Sequence, residues 1–151
     1  MTKAVRYSVV IPVYGNCDSI PELLDRLVEL SQRRSGRVEA VFVVDGSPDD
    51  SLAVLRSALA GGTLRAQLVA LSRNFGSFSA VRAGLELARG DFIAIMAADL
   101  QEPIELVDQF LDSLEAGECD IALGRRVGRE DPAVASLASR LYWWTYRRFV
   151  N

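Results

Sequence analysis

The chain has 151 residues, 50% of them hydrophobic and 25% charged, with a formal net charge of -3 and no histidine. That length fits one domain with a real core, and the missing histidine excludes Ser-His-Asp and Cys-His catalysis together with every His-ligated metal site. Metal chemistry must then rest on oxygen ligands, which favour hard cations such as Mg²⁺ or Mn²⁺, and the negative balance argues against a general nucleic-acid binder.

Residues 7–13 (YSVVIPV) form an unbroken apolar run, predicted as a buried first strand. Ile20, Leu23, Leu24 and Leu27 then recur at helical spacing, so a helix is predicted to start near Ser19, with Ser19 as N-cap and Pro21 in its first turn. A second strand is expected at 38–44 (VEAVFVV), followed by the polar turn DGSPDDS. Leu52, Leu55 and Leu59 mark the next helix, which stops at Gly61-Gly62. A third strand at 66–71 leads into SRNFG and a helix carrying Phe78, Val81, Leu85 and Ala88, ended by Gly90. The fourth strand is 92–96. Pro103 opens a helix with Ile104, Val107, Phe110, Leu111 and Leu114 on one face; 119–123 is expected as a fifth strand and 132 onward as a last helix.

No run approaches the roughly 18 apolar residues of a membrane span, and the N-terminus lacks a signal-peptide pattern, so the chain is expected to be soluble or peripheral. Cys17 and Cys119 lack CxxC spacing and read as reduced thiols of a cytoplasmic protein.

Strands alternating with helical stretches imply repeated β-α units and a mostly parallel, Rossmann-like sheet in an α/β domain covering 1–151. In such sheets the loops leaving the carboxyl ends of the strands share one edge, where ligands bind. Pro12-Val13-Tyr14-Gly15, Asp45-Gly46-Ser47, Ser72-Arg73-Asn74, Asp99-Leu100-Gln101 and Gly124-Arg125-Arg126 all belong to that rim.

Several rim residues admit two readings. Asp99 and Gln101 offer a carboxylate and an amide oxygen suited to a hard cation; the alternative is a helix cap at Asp99 and a solvated Gln101, although Asp99 lies far upstream of Pro103 for a cap. Asp45 is either a turn aspartate bonded to its own loop or an acceptor for a nucleobase N–H. Tyr14 is either an ordinary strand-end aromatic or a stacking partner for a base. Arg73 and Arg126 can pair with a pyrophosphate or with surface acids. The first turn, PVYGNCDS, is neither GxGxxG nor a phosphate loop, which removes the anchor of dehydrogenase and P-loop readings.

Taken in order, VVIPVYGN (9–16), VVDGSPDDS (43–51), LSRNFGSFSAVRAGLELARGD (71–91), IMAADLQEP (95–103), DIALGRR (120–126) and SRLYWW (139–144) resemble glycosyltransferase family 2, nearest its polyprenyl-phosphate (dolichol-phosphate) sugar transferase branch. The resemblance implies a GT-A type nucleotide-diphosphosugar transferase fold and inverting transfer from a UDP- or GDP-linked sugar to a lipid phosphate. By the same match Asp99, assisted by Gln101, would hold Mn²⁺ or Mg²⁺ at the donor diphosphate. Pro12, Val13 and Tyr14 would line the nucleoside pocket, with Asp45 reading the base, Ala98 and Arg73 in the donor site and Arg126 facing phosphate.

Two positions depart from the family pattern: Ala97 stands where its first aspartate is usual, and Val44 where an acid often precedes Asp45. The family's catalytic domain also usually continues past the SRLY segment. Residues 140–150 crowd Tyr142, Trp143, Trp144, Tyr146 and Phe149 among Arg140, Arg147 and Arg148, a mixture suited to a membrane interface or to self-association. Localisation at the cytoplasmic face of a membrane is the corresponding expectation. A nucleotide-sugar-binding module without turnover, and another Mg²⁺-dependent phosphotransfer enzyme, remain alternatives. Glu102 and Asp120 are acids near the rim, but spacing selects neither as a catalytic base.

Overall fold

The computed structural model describes residues 4–125. Among them β1 (Tyr7–Val13), α1 (Ile20–Arg33), β2 (Val38–Asp45), α2 (Ser51–Leu59), β3 (Ala66–Leu71), α3 (Ser77–Leu87), β4 (Phe92–Ile95) and α4 (Ile104–Glu115) follow one another. The strands form one parallel sheet in the order β3-β2-β1-β4. This is the α/β, Rossmann-like architecture that the alternating pattern implies.

β1 and β2 are central, and both faces of each are covered, which is why their sequences are apolar without alternation. Successive side chains nonetheless divide between the two faces. Val9, Ile11, Phe42 and Val44 join residues of α1, α2 and α4 in one core, among them Leu23, Leu27, Leu55 and Leu111. Val10, Val41 and Val43 form a second, smaller core with Ala80 of α3 on the other face.

α3 crosses back over β2 and β1 and meets the sheet through its smallest residues, the buried Ala80 and Gly84. A Cβ on Gly84 would lie 2.4 Å from Val10 Cγ1, so the helix approaches more closely than any side chain permits. Of the apolar set at helical spacing, Phe78, 91% exposed, and Leu85 therefore lie off the contact face, whereas Ala88 packs against the smaller core.

One expectation for local structure is corrected, and one is met in position only. Residues 119–123 take no strand conformation; β4 pairs only with β1 among the described residues, and Ile121 and Leu123 are exposed. So short a run, with Asp120 inside it, becomes a strand only by pairing with a neighbour, and it has none among the described residues. Ser19 occupies the N-cap position of α1 but makes no capping bond; its hydroxyl instead donates to the Ala98 carbonyl at 2.7 Å. The expected helix from 132 onward, and Arg126, lie outside the described residues.

The edge opposite the rim is tied by charge. Arg34 donates through Nε to Asp108 Oδ1 at 2.6 Å and through Nη2 to the Asp108 carbonyl at 2.6 Å, joining α1 to α4. Buried Glu39 accepts from the Ser8 hydroxyl at 2.7 Å and from the Arg89 N–H at 2.8 Å, which fixes the turn between α3 and β4.

Candidate functional site

The chain leaves β1 toward β2 on one side, whereas β4 lies on the other, so the crevice at the carboxyl ends of β1 and β4 is a topological switch point. A cleft of about 320 Å³ opens there. Pro12, Val13, Tyr14 and Asn16 form its first wall, Asp45 its floor, Asn74, Gly76 and Ser77 its second wall, and Ala97, Ala98 and Asp99 its far side. Six residues expected at the donor site, Pro12, Val13, Tyr14, Asp45, Ala98 and Asp99, thus meet around one space. Tyr14 is half exposed, leaving its ring open to a ligand.

Asp45 is 3% exposed. Its Oδ1 accepts the Phe75 N–H at 2.8 Å and its Oδ2 accepts the Gly76 N–H at 2.8 Å, so the carboxylate holds the loop that follows β3. Gly46 seals the same contact: its φ is +58°, and a Cβ there would fall 2.3 Å from the Arg73 carbonyl carbon. Each Asp45 oxygen keeps lone-pair capacity for a further donor. Arg73 lies outside the cleft lining, its guanidinium 4.0 Å above the Phe75 ring.

Asp99 is exposed at the rim. Its Oδ1 accepts the Gln101 N–H at 3.2 Å across Leu100, whose φ of +58° is a left-handed conformation rare outside glycine. The turn holds an ordinarily disfavoured backbone at the point where the carboxylate is presented. Gln101 lines a second space: with Glu102 and Asp120 it borders a groove of about 480 Å³ between β4, α4 and residues 120–125, lined mainly by Ile95, Leu106, Phe110 and Leu123. Among the described residues no group of three or more His, Cys, Asp or Glu gathers for a metal. Among the described residues the cleft offers a cation one exposed carboxylate, Asp99; this suits a hard ion that takes most of its oxygens from a bound phosphate.

Behind the first wall, Asp49 gathers four hydrogen bonds. Its Oδ1 accepts the hydroxyls of Ser47 at 2.5 Å and Ser51 at 2.6 Å and the Ser51 N–H at 3.1 Å, while Oδ2 accepts the Cys17 N–H at 2.9 Å. The Ser47 hydroxyl, followed by that of Ser51, holds the Asp49 carboxyl well below the ordinary carboxylate range. Desolvation, then the Asp49 carboxylate, pushes the Cys17 thiol up, away from the thiolate form.

Sequence reasoning placed Asn74 on the rim without a role there, and missed Asn16, Gly76 and Ser77 as cleft walls and Asp49 behind them. Their signal is weak: all lie in or at the end of the loops that follow strands, but small polar residues are common in all such turns.

The sequence matches the Glycosyl transferase family 2 pattern over residues 8–150. It is 36% identical over 139 residues to the undecaprenyl-phosphate 4-deoxy-4-formamido-L-arabinose transferase of Sodalis glossinidius (strain morsitans), covering 92% of this chain and 42% of the relative. The enzyme of the same name from Edwardsiella ictaluri (strain 93-146) is 38% identical over 134 residues, covering 89% and 41%. The chain thus spans about two fifths of the length of these relatives. Among solved structures it resembles a mannosyltransferase from Pyrobaculum calidifontis in complex with GDP-Man and Mn²⁺, with 29% identity, a TM-score of 0.59 and coverage of 68% of this chain and 30% of that one. A second likeness, to S. aureus TarS 1-349 in complex with UDP-GlcNAc, has 24% identity, a TM-score of 0.62 and coverage of 85% and 37%, and speaks to the fold alone.

Proposed function

The chain belongs to glycosyltransferase family 2, and from that premise we propose that its cleft binds the nucleoside diphosphate of an activated sugar, with a divalent cation held at Asp99. The observation that carries this reading is the meeting of Tyr14, Asp45 and Asp99, from three separate strand ends, around one space. The Mn²⁺ and GDP-Man in the Pyrobaculum calidifontis complex support it.

In this reading the nucleobase lies against the Tyr14 ring with Pro12 and Val13 behind it. Asp45 accepts a base N–H with a lone pair not used by Phe75 and Gly76. Ala97 and Ala98 are small, so the diphosphate reaches the Asp99 side of the cleft unhindered. Asp99, assisted by Gln101, supplies one charged ligand to Mn²⁺ or Mg²⁺, the remainder coming from diphosphate and water oxygens; the Gln101 N–H, which donates to Asp99 Oδ1, orients the carboxylate. When bound, the cation neutralises charge on the departing nucleoside diphosphate. Arg73 and Arg126 are the cations assigned to phosphate.

The acceptor in this proposal is a polyprenyl phosphate, as the names of the curated relatives suggest. A phosphate oxygen attacks the anomeric carbon from the face opposite the leaving group, the bond to the nucleoside diphosphate breaks, and configuration inverts. Such an acceptor is an anion at neutral pH, so the attack needs no strong base. The reaction belongs at the cytoplasmic face of a membrane. Among the described residues no helix is long and apolar enough to cross one. Contact with the membrane surface, or with a second copy, is assigned to residues 140–150.

Calorimetry with UDP and GDP tests the site. Binding is expected to require Mn²⁺ or Mg²⁺ and to be lost in Asp99→Ala; affinity unchanged by a chelator would refute the cation's role. Ala97, at the place of the family's usual first acid, favours a second reading, a binding module without turnover. Release of free or transferred sugar from UDP- or GDP-linked donors by the 151-residue chain decides against that one.

A further inference from the structure

The wall that carries Tyr14 has little of its own to hold it in shape. Residues 14–17 form no regular structure, and Gly15 takes a φ of +69°. Their backbone N–H groups are instead received from outside. The Gly15 N–H donates to the Ser47 hydroxyl at 2.8 Å, the Asn16 N–H to the Ser51 hydroxyl at 3.3 Å, and the Cys17 N–H to Asp49 Oδ2 at 2.9 Å. The first two acceptors lead to the same carboxylate, because Ser47 and Ser51 each pass their own hydrogen to Asp49 Oδ1. One side chain thus organises three successive amides, directly at Cys17 and through hydroxyl relays at Gly15 and Asn16.

Asn16 transmits the restraint. Its side-chain oxygen accepts the Tyr14 N–H at 2.9 Å, and both Asn16 and Tyr14 line the cleft, whereas Asp49 does not. A hydroxyl whose hydrogen is committed to a carboxylate presents its lone pairs in a fixed direction and is the better acceptor for it. Ser51 is buried, which shelters that relay from water.

We propose that Asp49 is a positioning residue for donor binding: through Ser47 and Ser51 it sets the Gly15-Asn16-Cys17 amides and so the placement of Tyr14 against the nucleobase. The inference rests on the reading of the cleft as a nucleoside diphosphate site and adds to it a residue that never touches the ligand.

The decisive variant is Asp49→Asn. With its amide oxygen at the Oδ1 position it still accepts from Ser47 and Ser51, but its NH₂ then faces the Cys17 N–H. The tie within the second loop survives while the direct tie to the first is cut. UDP and GDP affinity, measured by calorimetry in Mn²⁺, is expected to fall about tenfold, the effect of one charge-assisted hydrogen bond relayed to the cleft. Amide exchange at residues 14–17, followed by NMR, is expected to accelerate. Mn²⁺-pyrophosphate affinity, which reports only the Asp99 side, is expected to stay within twofold. Ser47→Ala, which removes the Gly15 acceptor, gives the same pattern by an independent route and serves if Asp49→Asn does not fold. Equal loss of nucleoside diphosphate and pyrophosphate affinity, or nucleotide affinity within twofold of the parent, overturns the proposal. Failure of the unaltered chain to bind either nucleoside diphosphate overturns the reading of the cleft, and this inference with it.

Discussion

Asp45 is where the structure adds most to the family resemblance, and Asp45→Asn separates its loop-holding contacts from the proposed reading of a base, which a binding assay alone confounds. In the folded chain both carboxylate oxygens accept backbone N–H groups at 2.8 Å, from Phe75 and Gly76, in a site only 3% exposed. Asparagine keeps one acceptor and turns an NH₂ toward the other N–H. The loss is one hydrogen bond to a charged group, about 2 kcal/mol. At about 2–4 °C per kcal/mol for a chain of this size, the ligand-free melting temperature should drop by roughly 4–8 °C. Far-UV circular dichroism without nucleotide or metal is the assay, because base recognition contributes nothing there. Asp99→Asn, on an exposed rim, is the control and should stay within about 0.5 kcal/mol of the parent. A melting temperature for Asp45→Asn within 1 °C of the control, with nucleotide affinity lost, would show that the carboxylate serves only the ligand and that the loop holds itself.

Gly84→Ala would stabilise an exposed helix by close to 1 kcal/mol, but here the added Cβ meets Val10 Cγ1 at 2.4 Å and Val43 Cγ2 at 3.2 Å. A net loss of about 1–2 kcal/mol is expected in urea denaturation, and a gain would refute the close approach of α3. Acid sensitivity follows from carboxyls whose folded pKa is depressed: Glu115, lowered chiefly by the Tyr7 hydroxyl at 2.5 Å, and Asp49, lowered by Ser47 and Ser51. Such groups contribute stability above their unfolded pKa, about 4, and lose it as pH falls toward the folded value. The melting temperature should be flat from about pH 7 to 5 and decline below about 4, with a shallower decline in Tyr7→Phe; an unchanged acid limb in that variant would remove Glu115 from the account.

Much of this protein is legible in one dimension. The apolar runs at 7–13, 38–44 and 66–71 are strands at the expected places, and the residues just beyond them form the rim, because chain direction in a parallel sheet sends every strand's carboxyl end to the same edge. Position along the chain is therefore enough to nominate Pro12, Tyr14, Asp45 and Asp99, as neighbours of strand ends.

What the sequence by itself determined, then, is periodicity, chain direction and the kind of chemistry each strand end can offer. Only the tertiary structure decided which face of α3 is buried: helical period puts Phe78 and Leu85 on one stripe, but contact distance selects Ala80 and Gly84. It likewise left 119–123 without a pairing partner among the described residues, and gave Asp45 and Asp49 loops to hold. Those outcomes depend on hydrogen bonds and close contacts between residues some thirty or more positions apart, as between Asp45 and Phe75 or Asp49 and Cys17. A local pattern states what a side chain can donate, accept or bury, whereas its partner is set by how the whole sheet and its helices pack.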